Sequence, residues 1–92
     1  MKLLSIVNSL RKEKKMVAKF NDGTSVHFGL NGSSTYLDHK DKKKREAYLA
    51  RHKKNEDWNN PKTRGSLAKH ILWGDSTSLH TNIKSFKKKF DL

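Results

Sequence analysis

Asp38 and His39 are adjacent in the chain, with Asn55 and His70 further on. An acid–histidine pair, an amide and a second histidine are the residue types of divalent-metal nucleases. In those enzymes one histidine activates water while the other, with an acid, holds the ion. The order of elements argues against that chemistry. A nuclease of this kind carries the acid–histidine pair on a hairpin and the last histidine on the helix packed behind it. Here the pair follows the hairpin and opens a helix, and His70 falls on a different helix. His39 and His52 are thirteen residues apart, more than three helical turns, so one helix face cannot bring both to one ion. There is no cysteine, which removes thiolate metal sites, disulfides and thiol catalysis together. The reading is therefore a non-enzyme without catalytic residues, metal ligands or cofactor. His52 is expected on the Tyr48 side of its helix as a half-buried polar residue.

The other chemistry the sequence offers is charge. Between Asp38 and Trp58 it reads DHKDKKKREAYLARHKKNEDW. A helix over about 38–56 would project Lys42, Lys43, Lys44, Arg45, Arg51, Lys53 and Lys54 around most of its circumference, leaving Tyr48 and Leu49 to dock it. A second cationic face, with Lys84, Lys87, Lys88 and Lys89, backs the last helix. The candidate partner- or phosphate-binding residues are Lys42, Lys43, Lys44, Arg45, Arg51, Lys53, Lys54, Lys87 and Lys88. Lysine-rich helix faces are often merely solvated. A net charge of +12 (21 Lys and Arg against 9 Asp and Glu) on 92 residues nevertheless exceeds what solubility requires, which favours a binding face. Arg51, Asn55, Glu56 and Trp58, bulky and specific at a helix end, suggest a hydrogen-bonded corner. Trp58 and Trp73 are expected in the core rather than stacked on bases.

These residues need a scaffold, and 92 residues with 33% hydrophobic content allow one domain over 1–92 and a small core. Its sheet part is expected over 1–30 and its helical part over 35–92. The opening MKLLSIVNSL is too polar for a secretory signal, and no stretch approaches the ~20 apolar residues of a membrane span, so a soluble, unsecreted protein is expected. KKMVAKF and TSVHFGL flank Asn21-Asp22-Gly23, a hairpin signal. A two-residue loop would set Lys19 opposite Val26 and mix the faces. A three-residue loop with a Gly23 bulge pairs Phe20 with Thr24, Ala18 with Val26 and Met16 with Phe28. That gathers Met16, Ala18, Phe20, Val26 and Phe28 on one side and leaves Val17, Lys19, Ser25 and His27 on the other. Residues 3–10 suit either alternation (Leu4, Ile6, Leu10) or a helical face (Leu3, Val7, Leu10). The β-branched pair Ile6-Val7 tips them toward a third strand.

Thr35 with Asp38 has the form of a capping box, and Asp38 with Asp41 would serve one turn later. Asn59-Asn60-Pro61 breaks the chain. A short helix of about Ser66 to Trp73 stops at Gly74. A last helix of about Ser78 to Lys89 shows the stripe Leu79, Ile83, Phe86 and Phe90, whose apolar residues are expected on the sheet's apolar face with Ile71 and Trp73. The expected fold class is α+β: a small three-stranded antiparallel N-terminal sheet followed by three helices.

Four stretches carry a family resemblance: Lys14 to Val17, Val26 to Gly29, Asp41 to Trp58 with its Arg-His…Glu-x-Trp run, and Leu72-Trp73. In these the chain resembles small basic proteins of unassigned activity from large nucleocytoplasmic double-stranded DNA viruses. It departs from them at Thr63-Arg64-Gly65, where Arg64 adds a cation. The resemblance implies a virion, assembled in the infected host cell, and assigns no catalytic residue. Two functions follow as expectations. One is a non-enzymatic virion structural protein, a minor capsid or cement component that binds capsid or other virion proteins through its basic surface. The alternative is a nucleic-acid-binding or genome-packaging protein whose helix 38–56 contacts DNA phosphates. Phe90 and Leu92 are expected to enter a partner's socket.

Overall fold

The computed structural model describes residues 2–54 and 56–92. Asn55, one of the corner residues above, lies outside them. Three strands form an antiparallel sheet in the order β1-β2-β3: β1 Leu3–Asn8, β2 Lys14–Phe20 and β3 Ser25–Leu30. The hairpin takes the three-residue loop. Phe20 N donates to Thr24 O at 3.0 Å, and Met16 pairs with Phe28 and Ala18 with Val26. Gly23 sits at φ +87°, a conformation that side-chain-bearing residues avoid. Asp22 braces the loop by accepting from Thr24 N and Thr24 Oγ1.

Residues 3–8 are a strand, with an irregularity between Leu3 and Ser5 that alters the alternation. Leu3 pairs with Phe20 and Ile6 with Ala18, so Leu3 enters the core while Leu4 is 65% exposed. Leu10, expected on the strand's apolar face, lies beyond its end and is fully exposed. Val17 is on the side opposite the core as expected, yet it is buried. Its cross-strand partners Val7 and His27 flank it in the central strand.

The helix expected over 38–56 is two helices, α1 Tyr36–His39 and α2 Lys42–His52. The first candidate box forms and the second does not: Asp38 lies inside α1 as the partner of Thr35, and Asp41 caps a helix of its own. Thr35 and Asp38 form the capping box of α1, and the Asp41 carboxylate accepts from Lys43 N at 2.9 Å to open α2. Between them Lys40 takes φ +56°, which ends α1 and lets the chain turn. α2 finishes at His52, four residues short of the expected end, and Glu56 bonds the His52 ring from beyond it.

Thr63 caps α3 Arg64–Leu67, which runs into a π-helical turn over Ala68–Leu72, where Trp73 N bonds Ala68 O. The wider turn buries Ala68, Ile71 and Leu72 together. Ser78 then caps α4 Leu79–Phe90. α3 lies against β3, and α4 packs chiefly on the π turn, so the helical segment 64–72 is the layer between sheet and last helix. The expectation that α4 lies directly on the sheet is corrected accordingly. One core joins Leu3, Met16, Ala18, Phe20, Phe28, Tyr36, Leu67, Ile71, Leu72, Trp73 and Phe86, with Leu79 and Ile83 packed at its margin. Leu92 is buried in that same core and Phe90 packs against it, so neither is free to fill a partner's socket.

Candidate anion-binding surface

α2 has no fully buried residue, and it is docked by a single side of its cylinder. Tyr48 stacks on Trp73 with centroids 4.2 Å apart and rings 3° from parallel, and His52 stacks on the other Tyr48 face, also at 4.2 Å. His39 lies against Trp73 at 5.2 Å, extending the column. Burial, with the Glu56 charge in addition, pushes the Tyr48 hydroxyl up to about 12. Of the corner expected after α2, Glu56 and Trp58 are hydrogen-bonded while Arg51 is exposed and takes no part: His52 Nδ1 donates to one Glu56 oxygen and Trp58 Nε1 to the other, both at 2.8 Å. Ser66 Oγ and His70 Nε2 both donate to the Trp58 carbonyl at 3.1 Å. Trp73 is core, as expected; Trp58 is half-buried in this corner, with the Lys69 ammonium 5.3 Å from its ring centre. The faces of Tyr48 and the near face of Trp58 are thus occupied from within.

Arg45 is also engaged inside the fold. Its Nε donates to the carbonyls of Trp73 and Gly74 at 3.1 and 3.0 Å, and its Nη2 meets Asp75 at 2.7 Å, tying α2 to the chain before α4. The other basic candidates project outward. Lys42, Lys43 and Lys44 are exposed on the first turn of α2, Arg51 on its last, and Lys53 and Lys54 just beyond it. Lys87 and Lys88 are exposed on α4. Among the described residues the ion pairs are those of Lys15 with Asp38, Arg45 with Asp75, His52 with Glu56 and Lys62 with Asp22, so these eight cations are unpaired.

Two cationic features escape a reading along the helices alone. A cleft between α2, the end of β3 and α3 takes in Lys14, Arg51 and Arg64, with Gly29, Leu30, Ser33 and Ser34 between them. A second cleft, along β3, is lined by Arg11, Lys14, His27, Lys62 and Arg64. Partial burial and the charges of Arg11, Lys14 and Lys19 hold the His27 pKa below the ordinary imidazole value. Of the cleft cations, Arg51 was already a candidate on the helix and Arg64 stood out as an added cation. The rest depend on tertiary folding.

Asp38, His39 and His70, first considered for chemistry, each have other partners. Asp38 caps α1 and pairs with Lys15, His39 Nδ1 accepts from Asp41 N at 3.0 Å, and His70 bonds Trp58. No group of three or more His, Asp or Glu side chains able to hold a metal occurs among the described residues. No described helix is long and apolar enough to cross a membrane.

The half-buried His70 makes a pH prediction. Burial outweighs the Trp58 bond and holds His70 below its ordinary 6.5, so the folded state keeps it neutral. The unfolded chain takes up that proton first. Stability from this group is complete above about 6.5 and is lost as pH falls from there toward the folded value, and His27 acts in the same direction. A second loss follows below 3.8, because the Thr35 backbone bond holds Asp38 below that value. Thermal melts from pH 8 to 5 should show a falling midpoint, and the fall should shrink in His70→Gln. A midpoint that rises on acidification contradicts the assignment.

No curated protein and no solved structure matches the chain. A family model does, over residues 4–52, that is 49 of 92, from β1 through the hairpin to the last residue of α2. The span holds the sheet and the basic helix docked beside it, and on it the chain belongs to DUF5754, a family of unknown function.

Proposed function

We propose that this protein is a non-enzymatic structural component of a virus particle, a minor capsid or cement protein of a large DNA virus that holds neighbouring virion proteins. The observation that carries this reading is the presence of two kinds of open surface on one small domain. Unpaired cations cover α2, while Leu4, Val7 and Leu30 stand exposed on the sheet and Leu10 just beyond β1. A protein wedged between neighbours uses both: the cations orient it on acidic surfaces, and the apolar side chains anchor it when salt screens the charge. The viral context rests on the resemblance in Lys14–Val17, Val26–Gly29, Asp41–Trp58 and Leu72-Trp73.

A second reading, genome packaging, is favoured by the composition of the α2 surface itself, where Lys42, Lys43, Lys44, Lys53 and Lys54 stand with no exposed large apolar side chain among them. Particle fractionation separates the two. Washing purified particles with increasing salt should leave the protein on the stripped shell, detected by mass spectrometry. Its release at moderate salt, or its recovery only with the nucleoprotein core, reverses the order.

A further inference from the structure

The chain has four arginines, Arg11, Arg45, Arg51 and Arg64. Arg45 is engaged inside the fold. The other three, far apart in sequence, all line the two clefts beside β3, and those clefts adjoin through Lys14 and Arg64, which belong to both. All three arginines are exposed, and none makes an ion pair among the described residues. The lysines, by contrast, are spread over the whole surface.

We propose that Arg11, Lys14, Arg64 and Arg51 form a track that binds the phosphodiester backbone of nucleic acid. This site is separate from the Lys42–Lys44 face and goes beyond the particle contacts proposed above.

Guanidinium groups present paired donors that match phosphate oxygens, where an ammonium acts as a point charge. The β3 cleft has no carboxylate in its lining. In the other cleft the one carboxylate, Glu56, has both oxygens taken by His52 and Trp58. Ser33 and Ser34 add small hydroxyl donors between the cations. Four cations along two adjoining clefts suit an anion repeated at intervals better than a single acidic side chain, and in sequence Lys12 follows Arg11 and Lys53 and Lys54 follow Arg51. Base reading is not built in: both faces of Tyr48 are covered, and Trp73 is buried in the core. Binding is therefore indifferent to sequence.

His27 reports on occupancy. Its ring faces Ser9, bonded at 2.7 Å, with Arg11, Lys14 and Lys19 as its charged neighbours. A polyanion that neutralises those cations lets His27 take up a proton, so its titration midpoint, followed by NMR, should rise on binding.

The test compares two triple variants of equal charge loss, R11A/R51A/R64A and K42A/K43A/K44A, by fluorescence anisotropy with two labelled duplexes of unrelated sequence. Thermal melts establish that both variants fold. At about 150 mM salt the arginine variant should lose at least about ten-fold more affinity than the lysine variant, for both duplexes alike. Its log–log salt slope should flatten by about three units, close to 0.9 for each phosphate contact removed. Addition of duplex should raise the His27 midpoint in the wild-type protein and leave it unmoved in the arginine variant. Equal losses in the two variants overturn the proposal, as does wild-type binding no tighter than about 10⁻⁴ M. Poly-glutamate of matched charge competing as well as DNA also overturns it, and points the track at an acidic protein. None of these outcomes changes retention on a salt-washed shell, so the particle reading stands or falls separately.

Discussion

Replacing Gly74 by alanine should destabilise the protein by about 3 kcal/mol or more, the larger end of what overpacking produces. Gly74 is buried where the chain leaves the π turn. A Cβ there would run into the His70 carbonyl oxygen and approach the Asn82 side chain to 2.7 Å. Neither neighbour can give way. The His70 carbonyl is backbone of the π turn, and Asn82, 3% exposed, is fixed by three bonds. Its amide donates to Ile71 O at 3.0 Å and Ser76 O at 2.7 Å, and its oxygen accepts from Ser76 N at 3.1 Å. Displacing it would strand buried donors and acceptors, each worth about 1–3 kcal/mol. Gly74 also supplies one of the carbonyls that hold Arg45, so the change loosens α2 as well. Chemical denaturation of the purified variant measures the loss. A destabilisation below about 1 kcal/mol would overturn this account of Gly74.

What the sequence made legible, and what it hid, follows the reach of each force. The hairpin was readable to the residue because alternation and the need for positive φ at Gly23 act over a few positions. The split between α1 and α2 was half-readable. The Thr35–Asp38 box was recognisable, but Asp41 read as the far residue of a second box on Asp38; it caps a helix of its own because the chain turns at Lys40, φ +56°. The π turn had no local signature, because its extra residue is stabilised by burying Ala68, Ile71 and Leu72 against elements remote in sequence. Glu56 was picked out as specific, while its role in joining His52 to Trp58 depends on where α2 stops.

The same division runs through the surface. Lys42, Lys43 and Lys44 could be placed outside from helical periodicity alone. Arg45 reads identically in sequence, yet it turns inward to the ends of the π turn, a destination 28 residues away. Arg11 and Arg64 reach one cleft only because α3 lies along β3. A count of cations therefore finds the charge, and the fold decides which of them face one another.

Phe86→Ala is the second large expected effect, about 3–5 kcal/mol. Phe86 is 1% exposed, with its ring 5.8 Å from His70 and 5.0 Å from Phe90, at the seam where α4 meets the π turn. Truncation leaves a cavity bounded by a turn that is already widened and has little freedom to collapse. The neighbouring Phe90 and Leu92 lose the surface they pack on as well. For a domain of this size such a loss approaches the whole stability, so urea unfolding should show a midpoint near zero denaturant. Lys87→Ala, one residue on and exposed, should change stability by no more than about 0.5 kcal/mol. Comparable effects at the two positions would place Phe86 outside the core. In that event α4 would hold a free aromatic side chain and become a partner-binding element in its own right. With Phe86 buried, the exposed face of α4 offers a partner Lys84, Lys87, Lys88 and Lys89 with His80, Thr81 and Ser85, and the large exposed apolar side chains are Leu4, Val7, Leu10 and Leu30, none of them on α4.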